Sequence, residues 1–231
     1  MQRVTEPELM QDLFQVQAYA ENDFSEVNEK FLGAVEKCIN KFRKTLDSSV
    51  LMIDLGCGPG QISEKIACRW PKANVIGVDD SQEMLNFARR RKNLNPKASL
   101  LEGLSYRKVN ISSIAKGTNG LLKCADVVVS NSLIHHIHDP KIFWDCLMNI
   151  SKKGSIHFHR DLRRPDSYQE AISLQKKYMP DAPAILSRDF LASLKAAFTV
   201  NEIKSQLYLY KFKNFDVIEV DDRYLDIIGF L

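Results

Sequence analysis

The segment over 50–60 restricts the fold more than any other. It runs VLMIDL and then GCGPG, a short apolar stretch that ends in a glycine cluster. An apolar run of this length, bounded by a turn signal, reads as a buried strand. Glycines at 56, 58 and 60 let the backbone turn tightly and come close to a ligand without Cβ obstruction. A helix is expected over 61–70, with its positive end facing the loop. The alternation then repeats. Strands are expected over 74–79, 106–109, 125–131 and 155–160, and helices over 81–92 and 140–151. The stretch 98–102 also qualifies as the third strand. The stretch 106–109 is preferred because a short loop, marked by Gly117 and Gly120, then leads to Ala125. Strands alternating with helices of about ten residues predict βαβ units, a parallel sheet and right-handed crossovers, with helices on both faces.

The flanks differ from this core. Two amphipathic stretches, 8–20 and 26–43, read as a helical N-terminal cover; the second carries the stripe Phe31, Val35, Cys38, Ile39 and Phe42. Towards the other end, 165–178, 187–197 and 201–209 read as helices, with Asn201 as a candidate N-cap. Strands over 215–220 and 224–230, joined by Asp221-Asp222-Arg223, form a terminal hairpin, so one strand runs antiparallel to the rest. The expected fold is a seven-stranded, mostly parallel, Rossmann-like α/β sheet. The 231 residues, 45% hydrophobic, suit a single domain. Its parts are a cover (1–45), a cofactor-binding core (46–160) and a substrate-side region (161–231). The net charge of +3 points to no partner. Five cysteines with no CxxC pair suggest neither a disulfide framework nor zinc. With no signal peptide and no long apolar run, a cytoplasmic protein is expected.

Spacing within the loop decides which nucleotide is meant. A dinucleotide fingerprint places its third glycine three residues after the second. That position is Gln61, so a dehydrogenase is disfavoured. Asp54-Leu55-Gly56-Cys57-Gly58-Pro59-Gly60 instead reads as GxGxG preceded by an acid. It resembles motif I of class I S-adenosylmethionine-dependent methyltransferases, in the type 11 or ubiquinone/menaquinone-biosynthesis-like group. The resemblance covers roughly 50–160 and implies S-adenosylmethionine as cofactor and S-adenosylhomocysteine as product. It implies that the loop wraps the methionine part and that Asp54 holds the ammonium group. Asp79 ends the second strand, where a carboxylate can accept hydrogen bonds from both ribose hydroxyls. Asp80 stands where the family usually has an apolar residue, so either acid could face the ribose. Met84, with Leu85 beside it, matches the family's apolar adenine contact. Asn110-Ile111 matches its adenine-binding position, with Asn in place of the usual Asp. Asn131, in Ser130-Asn131-Ser132-Leu133-Ile134-His135-His136, matches the segment beside the methionine moiety and the acceptor pocket.

All five histidines lie between 135 and 159. No carboxylate or cysteine stands beside them at a familiar ligand spacing, so no metal site is expected. His135 matches the position from which some small-molecule methyltransferases use a histidine as base, and Tyr19 matches a tyrosine those enzymes supply from the cover. Arg160, Arg163 and Arg164 follow the fifth strand, where three guanidinium groups could hold an acceptor carboxylate or phosphate, or close a surface loop. Arg89 to Lys92 ends a helix, where cations are favourable, or forms a nucleic-acid patch. The NPPY-like segment that the family uses for planar amino groups is replaced by Ser130-Asn131-Ser132-Leu133. A small-molecule acceptor is therefore the first expectation. An RNA (tRNA) methyltransferase and a non-catalytic cofactor-binding regulator are the alternatives.

Overall fold

A computed structural model describes residues 1–6, 12–42, 46–47 and 49–231. Seven strands form one sheet in the order β3-β2-β1-β4-β5-β7-β6. They are β1 (Leu51–Leu55), β2 (Asn74–Asp79), β3 (Leu104–Lys108), β4 (Ala125–Asn131), β5 (Ser151–Leu162), β6 (Phe215–Glu219) and β7 (Tyr224–Phe230). Strands β1 to β5 pair in parallel. Strand β7 runs antiparallel to both β5 and β6, as the terminal hairpin predicts.

Alternation along the strands sends side chains to two faces, and each face is covered. Met52, Val75, Val127, Val129 and Phe158 pack against α2 (Ser25–Phe42) and α3 (Gln61–Arg69), where Phe31, Val35, Ile39 and Ile66 are buried. Ile53, Leu55, Val78 and Val128 pack on the other face. Their partners are α5 (Ile111–Ala115), α6 (Pro140–Ile150) and α9 (Val200–Leu209). The expected stripe on α2 is the face that is buried, apart from the half-buried Phe42. Helices α1 (Leu13–Glu21), α4 (Gln82–Leu94), α7 (Tyr168–Tyr178) and α8 (Ala184–Ala196) complete the set. A third cluster, with Leu174, Phe190 and Leu194, joins α7 and α8 to Leu162 and Tyr224 at the strand ends.

Several boundaries differ from expectation. The start of the first cover helix (8–11) and the last residue of the second (43) lie outside the described residues. The stretch 98–101 is a 3₁₀ turn, and the third strand begins at Leu104. The expected loop after it contains α5. Strand β5 starts at Ser151, earlier than its apolar pattern suggested. The N-cap of α9 is Thr199 rather than Asn201: Thr199 and Glu202 form a reciprocal capping box.

In the order 3-2-1-4-5, the chain steps outward from β1 to β2 and β3, then crosses back to place β4 on the other side of β1. Such a switch point opens a crevice outside the carboxyl ends of the strands.

Candidate active site

The glycine loop sits at that switch point. Gly56, Gly58 and Gly60 have φ of +67°, +52° and +79°, a region L side chains rarely adopt. Their surroundings differ. A Cβ at Gly56 would lie 2.6 Å from Leu133 Cδ1, and one at Gly60 would lie 2.4 Å from Tyr106 Oη. A Cβ at Gly58 would meet nothing within 4 Å, so this glycine faces open space. Its N–H donates to Asp79 Oδ2 at 2.9 Å, so the loop and the end of β2 touch. Ser81 N–H donates to Asp79 Oδ1 at 2.8 Å. A carboxylate has about four acceptor sites, so two stay free for a ligand. Burial raises the Asp79 pKa, against the opposing hydrogen bonds from Ser81 and Gly58.

Asp54 is buried at the end of β1 and accepts a 2.6 Å hydrogen bond from Ser63 Oγ. Burial pushes its carboxyl up to about 7, Ser63 opposes the shift and Asp79 adds to it. Asp80 accepts from Asn110 Nδ2 at 2.6 Å. Asn110 Oδ1 in turn accepts from Ser112 N–H at 2.7 Å and caps α5. The side chain expected to read adenine is thus held within the protein at both ends.

A cavity of about 1070 Å³ opens over these residues. Asp54, Gly56, Gly58, Asp79, Asp80, Met84, Asn110, Ile111 and Asn131 line it. Leu55 and Gly60 do not. Leu55 is fully buried in the sheet, and Gly60 packs the start of α3 against Tyr106. Asn131 Oδ1 is buried beside the cavity without a hydrogen-bond partner among the described residues. Ser132, next to it, has φ +54°, a strained conformation for a residue other than glycine.

His135, His136 and Glu6 also line the cavity. His135 Nδ1 is hydrogen-bonded to Asp161 Oδ1 on β5, and Asp161 Oδ2 also accepts the backbone N–H groups of Ile134 and His135. The ring is thereby fixed, with Nε2 lying 3.5 Å from Glu6 Oε1. Burial disfavours charge on His135, but Asp161 and Glu6 outweigh it and hold its pKa above the usual value. Tyr19 lines the same cavity. Burial, with smaller contributions from Tyr224, Asp79 and Asp54, pushes its phenol up to about 12. At neutral pH Tyr19 is a hydrogen-bond donor rather than a proton acceptor.

Arg160, which lies within β5, and Arg163 and Arg164 just after it are placed differently from expectation. Arg160 makes a two-pronged pair with Asp226 on β7, through Nε and Nη2 at 2.7 Å each. Arg164 donates to the carbonyls of Met1 and Ala197 and to Glu202. Arg163 donates to the Asp221 carbonyl. Each is committed to joining segments of the fold, and none lines the cavity. Two other arginines do line it, Arg188 of α8 and, at the turn of the terminal hairpin, Arg223, which stacks 3.6 Å from the Tyr178 ring centroid and 4.6 Å from that of Tyr224. In the sequence Arg223 reads only as a hairpin-turn residue. Glu6 and Asp161 were likewise missed as site residues, because only the fold brings them to His135. At the other edge of the sheet, Lys92 donates to the Leu104 carbonyl and Arg91 lies 3.6 Å from Glu64.

Residues 46–214 match the family model described as a methyltransferase domain. The chain belongs to that family. Among curated relatives it is 30% identical over 151 residues to a ubiquinone biosynthesis O-methyltransferase of Nitrosomonas europaea, covering 64% of this chain and 57% of that one. It is 50% identical over 48 residues to a trans-aconitate 2-methyltransferase of Azoarcus sp. (strain BH72), covering 21% and 19%. The chain thus spans less than two thirds of either relative's length. A solved SAM-dependent methyltransferase from Aquifex aeolicus superposes with a TM-score of 0.63 at 16% identity, covering 94% of this chain and 97% of that one. At that identity the likeness establishes the fold. No helix among the described residues is long and apolar enough to cross a membrane.

Proposed function

We propose that this methyltransferase-domain protein transfers the methyl group of S-adenosylmethionine to a small-molecule acceptor. One observation carries the reading: the hydrogen bond from Gly58 to Asp79 joins the glycine loop to the second-strand carboxylate, and both line one cavity with His135.

The residues present fit the cofactor. Gly58 leaves room that a side chain would fill. Asn131 Oδ1 offers an unused buried acceptor, and Asp54 a carboxylate that an ammonium group would stabilise in its charged form. Asp79 keeps two acceptor sites for a sugar's hydroxyls, and Met84 and Ile111 offer apolar surface for a base. Bound there, S-adenosylmethionine supplies a methyl group already activated by its sulfonium. The protein's task is then positioning, and holding two reactants in line can supply roughly 7–11 kcal/mol. His135, fixed by Asp161, stands at the acceptor side. Tyr19 from α1 and Leu186 and Phe190 from α8 narrow the cavity and exclude water. This gives the three regions of the chain distinct roles, with the cover and the substrate-side helices closing a cofactor-binding core.

The ubiquinone-biosynthesis relative supports assignment to the type 11 group. The unpaired cysteines are consistent with a cytoplasmic location. The test is native mass spectrometry of protein purified from cells. Co-purified S-adenosylmethionine or S-adenosylhomocysteine, with a methylated product formed on incubation with small-molecule extracts, is expected. Binding of neither nucleoside at saturating concentration refutes the reading.

A further inference from the structure

The same cavity holds a second constellation. Glu6, His135 and His136 each present one ligating atom, and the three atoms lie within 4.8 Å of one another. Glu6 Oε1 is 3.1 Å from His136 Nδ1 and 3.5 Å from His135 Nε2. Metal–ligand bonds of about 2.0–2.2 Å place neighbouring ligands about 3.0–3.5 Å apart, so these separations are those of a coordination shell.

Three further observations bear on it. First, the Asp161 hydrogen bond to His135 Nδ1 turns Nε2 towards Glu6, the outer-shell carboxylate arrangement that orients metal-bound histidines. Second, His136 Nδ1 is a buried atom with no hydrogen bond, although the Glu6 carboxylate stands beside it. A cation between them would use both. Third, Glu6 is held in place. Val4 N–H donates to the Lys195 carbonyl at 3.0 Å, and Arg3 donates to the carbonyls of Ala196 and Ile137 at 2.6 and 3.0 Å. The Arg3 guanidinium also stacks 3.9 Å over Phe198, and Ser193 Oγ donates to the Glu6 carboxylate. The segment 1–6 is therefore a strap that carries one carboxylate to two histidines far away in sequence.

We propose that Glu6, His135 and His136 bind a divalent first-row transition-metal ion. Two imidazoles and one carboxylate suit Zn²⁺, Co²⁺, Mn²⁺ or Fe²⁺ better than the oxygen-seeking Mg²⁺ or Ca²⁺. Three protein ligands leave coordination positions open, and all three residues line the cavity. The class of ligand that fills those positions is a hydroxyl or carboxylate oxygen of the acceptor; this last step rests on the methyltransferase reading above. His135 then acts as a metal ligand rather than as a free base, and the absence of a metal site expected from sequence spacing is revised.

The test uses the full chain, stripped with a chelator and titrated with Co²⁺ alone, followed by visible absorption and calorimetry. One equivalent is expected to bind with a ligand-field band, and Zn²⁺ to displace it. Glu6→Gln and His136→Ala should each weaken Co²⁺ binding at least about tenfold, and Asp161→Asn about 10- to 100-fold. The thermal transition of each variant checks its folding. If His136→Ala fails that check, Glu6→Gln, on a strap outside the sheet, carries the comparison. Protein that binds S-adenosylhomocysteine but no Co²⁺, or binds Co²⁺ unchanged in the folded variants, overturns the metal site and leaves the methyltransferase reading intact. Protein that binds Co²⁺ through these residues but no S-adenosylhomocysteine overturns the methyltransferase reading instead.

Discussion

A methyl group added at Gly60 would strike Tyr106 and Ala88, whereas one added at Gly58 would meet only the cavity. Both backbones have positive φ, so both substitutions carry local strain. Gly60→Ala should therefore cost about 2–4 kcal/mol of folding stability by urea denaturation. Gly58→Ala should cost about 1–2 kcal/mol but weaken S-adenosylhomocysteine binding at least about tenfold in calorimetry. Equal stability costs with unchanged affinity would remove the distinction. Asp54 provides a pH test. Its carboxyl, raised by burial to about 7, is largely protonated below that value and ionised above it. An incoming ammonium group needs the ionised form, so binding below pH 7 must expel a proton. Affinity should fall as pH drops through about 7, by up to about tenfold per unit, and the calorimetric heat should vary with the buffer's ionisation enthalpy. In Asp54→Asn this dependence should disappear. The motif residues were legible because spacing alone separates GxGxG from the dinucleotide pattern. Which glycine packs and which one faces the cavity was not, since that depends on Tyr106 of β3 and Leu133 of the segment after β4.

Strands β5 and β7 show what a sequence conceals at the scale of elements. Arg160 and Asp226 are directly opposed in their antiparallel register, and both are buried. Near Arg163 and Arg164, Arg160 suggested an anion-binding loop, but it serves the pairing of the last strand with the core. Arg160→Ala leaves Asp226 buried without its partner and should destabilise the fold by about 3–5 kcal/mol, read from urea unfolding. An unchanged unfolding midpoint would return Arg160 to the list of acceptor-binding candidates. The apolar strands β1, β2 and β4 were readable because both faces of a central parallel strand are buried. The start of β5 was not, since Lys152, Lys153 and Gly154 break its apolar pattern while it still pairs at Ser151 with Ala125. The cap of α9 was shifted by two residues because Asn201 is as good a cap by type as Thr199, and only the partner Glu202 selects between them.

At the scale of the whole molecule, the two sides of the cavity, proposed to hold the cofactor and the acceptor, differ in origin. The cofactor side comes from consecutive strand ends between residues 54 and 131, so local motifs reveal it. The acceptor side draws Glu6 from the strap, Tyr19 from α1, His135 from the segment after β4 and Arg223 from the terminal hairpin. No local pattern joins these positions; the open sheet and its helical layers do. The account as a whole requires the cofactor side to bind a nucleoside through the carboxylate at the end of β2. Calorimetry with S-adenosylhomocysteine on the wild-type protein and on Asp79→Asn tests this most directly. The predicted result is one equivalent bound by the wild type and affinity at least about tenfold lower in the variant, measured at a temperature below the variant's own unfolding transition. No binding by the wild type, or equal binding by both proteins, would contradict it.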